Sequence, residues 1–223
     1  MARWQEIAFA PDGKTAALPN RDVMFVDAGT QEHRFGLRSR ARQDESDNDA
    51  LIRAVAYRDP TTIVGIDDVG RLLRWDLRFE DCRYWTICLA YGASLPSIVA
   101  TLDAEGFSIA RFSPDGSRLA LMTGRGLALI DTTNGATLRR YEASAPFDMS
   151  ARPPLQALAF SPDGRRLAAA AAGVVQTWSI DGRAGARYQG DADVSNLVFA
   201  PDGKSLVVGR TDCTLTLHAE RSP

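Results

Sequence analysis

The chain has 223 residues, a formal net charge of -2 and 45% hydrophobic residues, which fits one or two ordinary soluble domains. The near balance of charge gives no reason for bulk affinity for nucleic acid, and no apolar run is long enough to span a membrane. Three cysteines, Cys82, Cys88 and Cys213, are too few and too odd for a disulfide framework and point to a reducing compartment, the cytoplasm.

In chain order, residues 1–6 (MARWQE) enter a strand pattern at once rather than a signal peptide. Residues 4–9 end on Phe9, and Pro11-Asp12-Gly13 turns the chain into a second strand ending near Leu18. A third strand is expected at 23–26 and an outer fourth at 32–37. Residues 38–49, RSRARQDESDND, put arginines before acids that cancel them and read as a solvated loop, so a phosphate site is not expected there. The next set is 51–57, 63–65 and 71–77, with a turn at 66–70 and a fourth strand expected at 84–90. The connection 91–106 is long, with 97–102 as a candidate extra extended piece. Then come 109–112, 118–122, 127–130 and 136–141, followed by a proline-bearing loop at 142–154. A fourth set runs 155–160, 167–171, 174–180 and 184–188. The fifth has 194–199, 205–209 and 213–217, with no fourth strand before Pro223.

One stretch recurs through this order. FSPDGSRLA from Phe112 returns as FSPDGRRLA from Phe160, FAPDGK from Phe9 and FAPDGKSL from Phe199, with a degraded copy, YRDPTTIV, from Tyr57. Each clear copy places an aromatic at the end of an alternating run, a Pro-Asp-Gly turn after it, and a second alternating run beyond. The turns are Pro11-Asp12-Gly13, Pro114-Asp115-Gly116, Pro162-Asp163-Gly164 and Pro201-Asp202-Gly203. Proline presets φ, Asp bonds its own backbone and Gly accepts the left-handed conformation, which together make a β-hairpin. The period is two, and Pro and Gly break the runs, so a helix reading fails and the chain is expected to be all-β. The anchor aromatics Phe9, Tyr57, Phe112, Phe160 and Phe199 are 48, 55, 48 and 39 residues apart. Those are the lengths of four-stranded units that cannot bury both faces alone and so stack.

The pattern resembles the WD40-repeat β-propeller family over essentially the whole chain, with Phe-Ser-Pro-Asp-Gly followed by Leu-Ala as in its bacterial-type repeats. The family's Trp-Asp pair stands at Trp75-Asp76, and Val26-Asp27, Ile130-Asp131, Trp178-Ser179 and His218-Ala219 occupy the matching places. The resemblance implies a single propeller domain over 1–223, with repeats at 3–50, 51–106, 107–154, 155–193 and 194–220. Five blades are implied, the last incomplete. An open propeller, a part of a larger propeller, and a ring completed by a second chain all remain expectations.

No zincin helix, phosphate loop, dinucleotide fingerprint or nucleophile elbow occurs. His33 and His218 lie far apart, the Cys82–Cys88 spacing does not suit zinc, and Asp67-Asp68 reads as a hydrophilic turn. No catalytic residue, metal ligand or cofactor is therefore expected. The function implied by the resemblance is a non-catalytic interaction scaffold for a protein or peptide, without nucleic acid or membrane. The alternative is an accessory propeller of a larger enzyme or signalling protein, or a hydrolase. Ile7, Val55, Ala110, Leu158 and Leu197, two before each anchor aromatic, are expected in the core. Four before it stand polar residues, Gln5, Arg53, Ser108, Gln156 and Ser195, which the alternation places near the strand starts. With Arg125 and Arg210 in the turns between second and third strands, they form the candidate partner-binding set, beside the long connections.

Overall fold

The computed structural model describes residues 7–37, 50–77, 96–103, 107, 109–123, 126–141, 157–171 and 173–220. Among these, every regular element is a strand, and no helix is long and apolar enough to cross a membrane. Two compact units are distinguished. The first is Met1–Glu105 with Asp115–Arg118 and Asp131–Ala136, and the second is Gly106–Pro114, Leu119–Ile130 and Thr137–Pro223.

The first unit holds two four-stranded sheets. One is β1 (Ala8–Phe9), β2 (Thr15–Pro19), β3 (Val23–Asp27) and β4 (His33–Leu37); the other is β5 (Ile52–Asp59), β6 (Thr62–Asp67), β7 (Arg71–Asp76) and β8 (Ser97–Thr101). The third sheet is β9 (Ile109–Phe112), β10 (Arg118–Thr123), β11 (Gly126–Asp131) and β12 (Thr137–Tyr141), and most of it belongs to the second unit. That unit continues with β13 (Ala157–Phe160), β14 (Arg166–Ala171), β15 (Val174–Ser179) and β16 (Ala184–Gln189). A three-stranded sheet follows: β17 (Val194–Phe199), β18 (Ser205–Arg210) and β19 (Leu215–Ala219). Every strand lies beside its neighbour in sequence, which is the form of WD40-like propeller blades with the fifth incomplete.

The recurring motif is legible in the register. Phe112 stands opposite Leu119, Phe160 opposite Leu167 and Phe199 opposite Leu206. The aromatic before the turn and the leucine after it are thus cross-strand partners on one face, an arrangement that stabilises a sheet. The turn itself closes through Asp. Asp12, Asp115, Asp163 and Asp202 each accept a hydrogen bond from the amide two residues on, at 2.9, 3.1, 3.0 and 2.9 Å. Gly13, Gly116, Gly164 and Gly203 take φ of 69°, 64°, 66° and 68°, where a side chain is strained. In the degraded copy, Asp59 does the same work, accepting from Thr61 N at 2.8 Å.

Two expectations are corrected. The outer edge of β7 is paired by β8, with Arg71 opposite Thr101 and Arg74 opposite Ser97, so 97–101 is the fourth strand rather than an extra piece of a connection. The apolar run at 84–90 lies outside the described residues. Ile7 is not core: it is exposed, as is Phe9, whereas Val55, Ala110, Leu158 and Leu197 are buried. The local pattern is the same, since β1 has the same kind of hairpin partner, Phe9 opposite Ala16.

Each unit has its own apolar interior. In the first, Ala17, Val23 and Phe25 meet Val55, Tyr57, Ile63 and Trp75, with Phe25 and Tyr57 edge to face at 6.4 Å. Burial there pushes the Tyr57 phenol well above its usual range. In the second unit, Met122, Leu127 and Leu129 meet Leu158, Leu167 and Trp178, and Ala159, Ala168 and Val175 meet Leu197, Phe199 and Leu206. The two tryptophans expected at the ends of third strands, Trp75 and Trp178, are both buried packing residues.

Candidate functional site

The strand starts opposite the Pro-Asp-Gly turns share one construction in both units. In the first, Ile52 pairs with Asp67 and Ala54 with Ile66, leaving Arg53 as the extra residue of a bulge. In the second, Val194 pairs with Arg210 and Asn196 with Gly209, leaving Ser195 in the same role. A bulge breaks the strict alternation and re-aims the side chain it carries. Arg53 and Ser195 are accordingly exposed, while Ile52, Ala54 and Val194 beside them are buried and Asn196 is exposed.

A buried charge stands at the second-strand end opposite each bulge. Leu51 and Asp68 exchange bonds, Asp68 N to Leu51 O at 2.9 Å and Leu51 N to Asp68 Oδ1 at 3.1 Å. Asp67 is fully buried; its carboxylate accepts from Arg71 N at 2.7 Å and from Arg71 Nε at 2.6 Å. A buried carboxylate requires such pairing. In the second unit the equivalent tie is Thr211 N to Asp193 O at 2.9 Å. Arg210 takes the place of Asp67, and its guanidinium donates to Ala192 O at 2.6 Å and to Gly173 O at 3.2 Å. Gly190 lies so close that a Cβ there would run into that guanidinium.

Of the sequence-expected set, then, Arg53 and Ser195 stand exposed at equivalent bulges, and Arg210 is a buried prop rather than a free side chain. Gln5, Ser108, Arg125 and Gln156 lie outside the described residues, as do 38–49 and 142–154. The buried roles of Asp67 and Arg210 escaped the sequence reading. The available signal was that each stands at the last position of a second strand, directly before a turn.

A second polar cluster sits between the fourth and fifth sheets. Arg166 reaches the Gly203 carbonyl, lies over the Phe199 ring at 5.3 Å and is 3.8 Å from Glu220. Tyr188 donates to Glu220 Oε1 at 2.9 Å, and its ring lies 3.9 Å from that of His218. Burial and the Glu220 bond push the Tyr188 phenol up to about 12, and burial with the Arg210 charge pulls His218 down. These contacts tie the two sheets together. Among the described residues, no group of three or more His, Cys, Asp or Glu is gathered as metal ligands.

Residues 182–218 match the family model described as WD domain, G-beta repeat. The match is consistent with a WD40-repeat family, and it runs through β16, β17, β18 and β19. The WD repeat as a sequence unit therefore starts on the outer strand of one blade and ends on the third strand of the next. No curated protein matches the chain.

Proposed function

We propose that the chain is a non-catalytic scaffold that binds a protein or peptide through the surface bearing the second-to-third-strand turns and the connections between blades. The observation that carries this is the repeated bulge. At the same position in two repeats, a polar residue, Arg53 or Ser195, is turned to solvent opposite a buried charge, Asp67 bonding across its own turn and Arg210 bonding the carbonyls of Ala192 and Gly173. Exposed polar groups on rigid supports suit recognition. The WD-repeat match supports the same reading, since that repeat generally builds interaction scaffolds. Gln5, Ser108, Gln156 and Arg125 complete the proposed contact set, with Arg210 as the prop of the rim. The proposed compartment is the cytoplasm, in keeping with the sparse cysteine set.

The experiment is hydrogen exchange on the chain with a cross-linked binding partner, run for the native sequence and for Arg53→Ala. Protection at 50–54 and 191–196 is expected, with binding weakened by about 1–2 kcal/mol in the variant and folding unchanged. Protection confined to the outer strands β8, β12 and β16 would reject the reading.

A further inference from the structure

The joint between the fourth and fifth sheets, both in the second unit, is clasped by one arginine at each end. At the Pro-Asp-Gly end, Arg166 of β14 reaches across to the Gly203 carbonyl and lies over the Phe199 ring of the fifth sheet. At the other end the reach is reversed. Arg210 of β18 donates to the Gly173 carbonyl, in the turn between β14 and β15, and to the Ala192 carbonyl ahead of β17.

The two clasps differ in what answers the charge. Arg210 is met by backbone carbonyls, which no change of pH removes, and among the described residues it forms no ion pair. Asp212, on the adjoining turn, is held below the usual carboxylate range by its bonds from Thr214 and, least, by the Arg210 charge, so it too stays ionised near neutrality. At the Arg166 end the answer is Glu220. Arg166 Nη1 is buried and has no hydrogen-bond partner among the described residues, and the Glu220 carboxylate stands 3.8 Å from it. The two side chains are only 12% and 4% exposed. The same carboxylate accepts the Tyr188 hydroxyl at 2.9 Å, and the Tyr188 ring carries the His218 imidazole at 3.9 Å. A carboxylate, a phenol and an imidazole are thus gathered at one end of the joint.

Acid acts on this end in one direction. His218 faces Tyr188 of β16, Glu220 just beyond its own strand and the Arg210 charge of β18, with Thr216 Oγ1 3.0 Å from its Nε2. Arg166 of β14 stands behind Glu220. Burial first, then the Arg210 charge, outweigh the pull of Glu220 and hold the imidazole below its ordinary range. An opened joint therefore takes up a proton on His218 more readily than the closed one. Closure accordingly weakens as pH falls below about 6.5, the ordinary His value. Protonation of Glu220 works the same way, since it leaves Arg166 a buried cation without its counter-charge, and breaking one side of a buried pair is strongly destabilising.

We propose that this joint is an acid-sensitive hinge. On acidification the end formed by Arg166, Tyr188, His218 and Glu220 opens locally, while the end clasped by Arg210 stays shut. The proposed contact residues Arg53 and Ser195 are not among the titrating groups, so the hinge does not depend on partner binding.

The test is hydrogen exchange on the whole chain, expressed as protection factors, at about pH 7.5 and about pH 5.5, on either side of the ordinary His value of about 6.5. The samples are the native chain, His218→Gln and Glu220→Gln, with circular dichroism to check that each is folded. In the native chain, protection over 203–206 and 217–220 is expected to fall severalfold at the lower pH, while 192–196 and 208–210 hold. His218→Gln cannot take up the proton and is expected to lose most of that fall. Glu220→Gln is expected to show the low protection already at the higher pH; where that variant does not fold, His218→Gln decides. A native joint whose two ends respond alike to pH overturns the inference. So does a His218→Gln protein that keeps the native response.

Discussion

Asp163 shows how much one turn residue does. Its Oδ1 accepts from Ser161 Oγ at 2.5 Å and from Arg165 N at 3.0 Å. Those bonds, with the Arg166 and Arg165 charges adding, hold its carboxyl below the usual carboxylate range. Replacing Asp163 by Ala is expected to cost about 0.5–2 kcal/mol in urea denaturation. Because the folded pKa is depressed, this contribution is complete above the ordinary Asp value of about 3.9 and is lost as pH falls through the lower folded value. The stability gap between the native chain and Asp163→Ala should therefore narrow on acidification below about pH 4; a constant gap would mean that the bonds are not to the ionised form. The glycines make a sharper comparison. A Cβ on Gly13 meets nothing within 4 Å, while one on Gly116 would lie 2.7 Å from the Tyr57 carbonyl oxygen. Gly13→Ala should cost about 1–2 kcal/mol, the strain of its φ alone, and Gly116→Ala clearly more; equal melting temperatures for the two would reject the close approach. The turn chemistry was legible in the sequence because it is local. The Tyr57 contact was not, because it joins residues far apart in the chain.

At the scale of elements, the hairpins read correctly wherever Pro-Asp-Gly fixed the turn, since turn type sets register and register sets which residues face inward. The fourth strand of the second repeat did not. The run at 84–90 is more apolar than 97–101, but the outer strand of a blade lies largely in solvent, and β8 is mostly exposed or half-buried, so hydrophobicity ranked the two segments the wrong way round. The bulges were invisible for another reason: period-two counting assumes one residue per register step, and Arg53 and Ser195 are extra residues. Burial of third-strand aromatics was easier to anticipate. Trp75 is fully buried, and its ring lies so close to Gly65 that a Cβ there would stand 2.9 Å from it. Trp75→Ala is therefore expected to lose about 3–5 kcal/mol through the cavity left behind, measured by chemical denaturation. A loss below about 1 kcal/mol would show that the neighbouring strands collapse into the space.

For the whole molecule, the repeat spacing announced five sheets, but no local pattern could tell which faces have a neighbour. Ile7-Ala8-Phe9 reads like Leu197-Val198-Phe199, yet Ile7 and Phe9 are exposed while Leu197 and Phe199 are buried. In stacked repeats, stability is a sum of each unit's own terms and those with its neighbours, so local opening should follow the neighbours present rather than the sequence quality of the repeat. Third strands give a controlled comparison. β7, β11 and β15 each have a hydrogen-bonded strand on both sides, whereas among the described residues β19 has one only on the side of β18. Its residues are also mostly exposed, against mostly buried ones in β11 and β15. Native-state hydrogen exchange should find β19 opening far more readily than β15. Strands β6 and β14, buried almost throughout, should exchange slowest in their units. If β19 is instead protected as well as β15, its outer edge is paired in solution by a further strand, and the fifth sheet is then four-stranded like the others.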